Sequence, residues 1–132
     1  MSLDMSTIES ITFSSDNGSV PDPYYKGYEL TFYKEGKANL VVFSGREANR
    51  LVALDETNNL DPDVIRRITS LIEVYKPALN KVAEVGGSIK TIIIHSANTS
   101  QHIEVKPNDL QGVNLFKKCL SFYDPHIETR LE

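Results

Sequence analysis

Apolar and polar positions alternate most clearly between Ser88 and Lys106. Ile89 to His95 is rich in β-branched side chains, and Gln101 to Lys106 alternates apolar with polar. Between them, Ser96 to Ser100 is small, polar and of turn type. The pattern predicts a β-hairpin. Ile103 and Val105 share one face of its second strand; His102, Glu104 and Lys106 share the other. A sheet keeps its apolar faces together, because a one-residue slip turns every side chain over. Pairing Ile94 with Ile103 and Ile92 with Val105 meets that requirement. It places His95 opposite His102, Ile93 opposite Glu104 and Thr91 opposite Lys106. A slip of two residues keeps the faces but separates the histidines.

Ile8 to Phe13 reads as a first strand, with Ile11 and Phe13 on one face. Ser14 to Gly27, with its prolines, glycines and Asp16-Asn17-Gly18, reads as a long irregular loop. Tyr24, Tyr25 and Tyr28 cluster at its end. Tyr28 to Tyr33 and Asn39 to Phe43 form a second hairpin around Lys34-Glu35-Gly36-Lys37. Ser44 to Asp55 fits two periods. Ser44 and Glu47 match a helix capping box, yet Ala48, Arg50, Val52 and Leu54 alternate with their neighbours. A fourth strand ending near Leu54 is the simpler continuation, since sequential strands usually neighbour one another.

Asp61 is a natural N-cap for a helix, Pro62 suits its first position and Asp63 complements its dipole. Val64, Ile68, Leu71, Ile72 and Tyr75 form its buried stripe, with Ile65 at the edge. Pro77 stops it near Lys76, or kinks it into Ala78 to Val85 before Gly86-Gly87. Pro107-Asn108-Asp109 breaks the hairpin's second strand, and a last helix is predicted over Val113 to Tyr123. The order predicts an α+β fold: an antiparallel β-sheet built from hairpins, with two main helices packed on one face. Ile11, Phe13, Leu30, Phe32, Ile92, Ile94, Ile103 and Val105 would share its core.

The 132 residues suit a single domain, 1–132. Residues 1–6 and 126–132 are expected to be frayed or additions to the natural chain. A net charge of −4 argues against a dedicated nucleic-acid binder. The one cysteine precludes an intrachain disulfide or a cysteine zinc cluster and suits a reducing compartment. No stretch approaches a membrane span, and no secretory apolar region follows the N-terminus. A cytoplasmic location is therefore expected, unless a signal or anchor has been trimmed away.

Few residues suggest chemistry. Opposed on neighbouring strands, His95 and His102 could share a metal ion or move a proton, with Glu104 diagonal to them. The plainer reading is two polar side chains on a solvated face. His102-Ile103-Glu104 also matches half of a zinc-deaminase motif, but the required downstream cysteine pair is missing. Cys119 lies beside Leu115 and Leu120 on a predicted apolar helix face, the setting of a core cysteine and not of a nucleophile. Tyr24 and Tyr25 offer rings of the kind enriched at interfaces.

The binding candidates are thus Tyr24, Tyr25, His95, His102 and Glu104. No cofactor, metal ligand set or catalytic residue is assigned. The expected function is a small soluble, non-enzymatic binding or interaction domain for a protein partner or small ligand. Nucleic acid and membrane are not expected as partners. One alternative is a small metal-assisted or acid–base enzyme using His95, His102 and Glu104; another is a structural subunit of a homo-oligomer.

Overall fold

A computed structural model describes residues 7–17, 24–45, 50–75 and 89–127. The described elements are β1 (Ile8–Asp16), β2 (Lys26–Tyr33), β3 (Lys37–Ser44), β4 (Leu51–Asn59), α1 (Val64–Val74), β5 (Ile89–Ser96), β6 (Ser100–Val105) and α2 (Leu110–Ser121). The strands form one six-stranded sheet in the order β4-β3-β2-β1-β5-β6, antiparallel at every junction. The fold is α+β. The first four strands are a meander, and β5 then returns to pair with the free edge of β1. That return makes β1 an interior strand.

One face of the sheet is apolar because the alternation of each strand is in phase with its neighbours. Ile11 pairs with Phe32 and Ile94, and Phe13 pairs with Leu30 and Ile92. Leu40 continues this face on β3, opposite Leu30. All of these are buried in a core that also takes Ile65, Ile68 and Ile72 of α1 and Leu115, Phe116, Cys119 and Leu120 of α2. Phe13 meets Phe32 and Phe116 edge to face, at 5.8 and 5.4 Å between ring centroids, so α2 lies against this face. Ile8 joins the core through a bulge. The β1–β5 register shifts between Ile8 and Ser10, which leaves Glu9 exposed and brings Ile8 opposite Ser96. Plain alternation would have put Ile8 on the face of Ser10.

The β5–β6 hairpin takes the slipped register. Ile92 pairs with Ile103, Ile94 with Gln101, Ile93 with His102, and His95 with Ser100. Both registers keep the apolar faces together, so facing alone could not choose between them. In the observed one, the turn closes at Ala97-Asn98, with Ser96 N donating to Thr99 O at 2.9 Å. Val105, paired with Lys90, then packs close to Gly112 in the first turn of α2.

Other boundaries move for local reasons. β1 runs to Asp16 and β2 starts at Lys26, so part of the expected Ser14–Gly27 loop is strand. Asn17 supports this extension: its Nδ2 donates to Tyr24 O at 2.7 Å, and its Oδ1 accepts from Lys26 N at 2.9 Å. The fourth strand forms, but as Leu51–Asn59 and not ending near Leu54. Ser44 closes β3, and residues 46–49 of the capping-box reading lie outside the described residues. The N-cap of α1 is Asp63, while Asp61 Oδ1 accepts from Asp63 N in the turn before it. The possible continuation through Ala78 to Val85 lies outside the described residues. α2 begins at Leu110, because the side chain of Asp109 caps it by accepting from Gly112 N at 3.2 Å. Ile127, in the segment expected to fray, is buried.

Candidate binding face

The other face of the sheet is organised by the small side chains of β1. Ser10, Thr12 and Ser14 alternate with Ile11 and Phe13 and so point away from them. Their partners are larger, except Thr31, which matches Thr12. Ser10 lies between Tyr33 and His95, Thr12 between Thr31 and Ile93, and Ser14 between Glu29 and Thr91. Apart from Thr31, each flanking side chain is larger than the hydroxyl residue it pairs with, so β1 forms the floor of a shallow trough. Its floor is well shielded, with Ser10 at 8% and Thr12 at 7% exposure, whereas Tyr33 on the rim is 37% exposed.

A hydrogen-bonded row crosses the trough. Thr12 Oγ1 and Thr31 Oγ1 share a bond of 2.9 Å. Thr12 Oγ1 lies 3.3 Å from His95 Nε2, and Ser100 Oγ lies 3.3 Å from His95 Nδ1. Four strands thus contribute one polar group each: Thr31 from β2, Thr12 from β1, His95 from β5 and Ser100 from β6. A neutral imidazole donates from one nitrogen and accepts at the other. With the proton on Nδ1, the ring donates to Ser100 and accepts from Thr12; with the proton on Nε2, both bonds reverse. Each hydroxyl is at once donor and acceptor, so the row is satisfied in either direction.

Of the residues expected from sequence, His95, His102 and Glu104 do share this face, but not as an opposed pair. His102 is opposite Ile93 and exposed, and Glu104 is opposite Thr91. Glu104 forms an ion pair with Lys106 at 3.5 Å. Among the described residues, no three His, Cys, Asp or Glu side chains are grouped to hold a metal ion. Sequence reasoning missed Thr12, Thr31 and Ser100. The available signal was the polar half of the Ser10–Ser14 alternation, which becomes informative only once β5 is known to pair with β1.

Tyr24 and Tyr25 sit at the far end of the sheet. Tyr24 is 68% exposed, while the Tyr25 ring lies 6.3 Å from that of Phe43. The Arg50 guanidinium lies 4.0 Å above the same Phe43 ring. Phe43 can lie flat here because its partner across β2 is Gly27, where a Cβ would come within 2.8 Å of the ring and 2.7 Å of Ser15 O. Cys119 is buried and unbridged, and burial pushes its thiol up to about 12. That is the chemistry of a core residue, not a nucleophile.

No helix among the described residues is long and apolar enough to cross a membrane. No known family model matches the chain, and no curated protein matches it.

Proposed function

We propose that the chain is a non-enzymatic binding domain, acting in the cytoplasm, that takes a small polar ligand in the trough along β1. The observation that carries this reading is the Thr31–Thr12–His95–Ser100 row. A bare structural sheet needs no such row on its outer face. Hydroxyls and an imidazole recognise uncharged groups that both donate and accept, such as alcohols and amides. Because the row can reverse direction, it meets a donor or an acceptor on the ligand without leaving a partner unsatisfied. Glu29 and Tyr33 on the rim add an acceptor and a ring face. The lone buried cysteine suits the cytoplasm.

The test is a protein-observed NMR screen with uncharged polyol and amide fragments. Binders are expected to perturb Ser10, Thr12, Thr31 and His95 together. Perturbations gathered instead around Tyr24, Tyr25 and Arg50, or an absence of binders, would overturn the assignment.

A further inference from the structure

The outer edge of β4 carries a second inference, independent of the trough. β4 ends the sheet, so its outward backbone groups meet no strand among the described residues. Sheet edges are usually protected by shortness, charge, proline, a bulge or a covering segment. β4 is nine residues long with no lysine or proline; its first four residues, Leu51-Val52-Ala53-Leu54, are uncharged, Leu51 and Val52 are 71% and 58% exposed, and its charges, Asp55 and Glu56, follow them.

The edge also has an internal symmetry, which a bulge creates. Val42 pairs with Leu54 but Phe43 pairs with Val52, which leaves Ala53 as an extra residue. Val52 therefore shares a face with Asp55, which pairs with Val41. Arg50 is on this face as well, since its guanidinium covers Phe43, while Asp55 Oδ1 accepts from Asn39 Nδ2 at 2.9 Å. Leu51 and Leu54, opposite Ser44 and Val42, are on the other face. With Ala53 set aside, the strand is balanced about Val52. Leucines lie one step away on each side, and two steps away lie Arg50 and Asp55.

Paired residues of antiparallel strands point to the same face. A two-fold axis through Val52, perpendicular to the sheet, satisfies that condition for two copies of β4. Val52 then faces its own copy, Leu51 faces Leu54, and Arg50 faces Asp55 twice. Without the bulge, Arg50 and Asp55 would fall on opposite faces and could not meet. We propose that a second copy of this chain docks on β4 in this register, joining two sheets into one through an isologous interface.

The test uses the full chain. Light scattering after size exclusion should give twice the 14.8 kDa of one chain. Arg50→Asp or Asp55→Arg alone should return the mass to that of one chain, because like charges then face each other, and the two together should restore the dimer. Oxidised Val52→Cys should cross-link between chains. Thr57→Cys should not, and the buried Cys119 leaves the wild type uncross-linked. A single-chain mass at every concentration overturns the proposal. So does a dimer indifferent to the charge changes, a double exchange that fails to restore it, or no cross-link at Val52→Cys.

Discussion

Single residues matter most where α1 ends and α2 begins. The Tyr75 hydroxyl donates to Asp109 Oδ2 at 2.6 Å, and Asp109 is 4% exposed. Gly112 allows this approach: a Cβ there would come within 2.5 Å of the Tyr75 hydroxyl and 2.8 Å of Val105 Cγ1. Gly112→Ala should therefore destabilise the fold by about 1–3 kcal/mol through overpacking, read by urea unfolding. Tyr75→Phe should cost about 1–3 kcal/mol, because it takes a donor from a buried carboxylate. The junction also predicts alkaline sensitivity. Burial, then the hydrogen bond to Asp109 and its charge, push the Tyr75 hydroxyl well above its ordinary value of 10.0. Cys119 is pushed up from 9.0 to about 12 by burial. Below those ordinary values both folded and unfolded states keep their protons and the stabilisation is complete. As pH rises past them, the unfolded chain releases protons that the folded chain retains, so stability falls. Unfolding midpoints measured from pH 8 upward should decline, and Tyr75→Phe should lessen the decline.

At the scale of elements, the bulge at Glu9 shows what the sequence could and could not disclose. Ile8→Ala should cost about 2–5 kcal/mol, because the bulge turns Ile8 into the core, where it is 2% exposed. Were β1 regular, Ile8 would share the outer face with Ser10 and its loss would cost far less. Local periodicity made five of the six strands and both helices legible, along with Ile11, Phe13, Leu30, Phe32, Ile92, Ile94 and Val105 of the core; at β4 two periods fitted equally, and the strand runs to Asn59 instead of ending near Leu54. What it could not reveal depends on partners distant in the chain. The two hairpin registers were equal in facing, and the choice between them accompanies a turn at Ala97-Asn98 and Val105 packing beside Gly112. Asp109 was visible only as a break, although its side chain starts α2. The His95–Ser100 pairing can be checked by inter-strand NOEs, and cross-strand contacts from His95 to His102 as a directly opposed pair would contradict it.

For the whole molecule, chain order explains why the two faces of the sheet differ. Because β5 inserts beside β1 and not beside β4, residues far apart in sequence meet over an interior strand. Thr12 and His95 are 83 positions apart in the chain, and neither is informative alone. The same topology leaves β4 at an edge, so the trough and the proposed dimer contact occupy different parts of one sheet. Occupying one need not block the other. The central claim, that the trough is the ligand site, is tested most directly by calorimetric titration of a fragment binder into wild type, His95→Phe and Thr12→Val. Each variant keeps the bulk of its side chain and removes hydrogen-bonding atoms from the row. Affinity should fall about tenfold or more in both variants, the scale of one or more lost hydrogen bonds, while both remain folded. Wild-type affinity in both folded variants would contradict the claim.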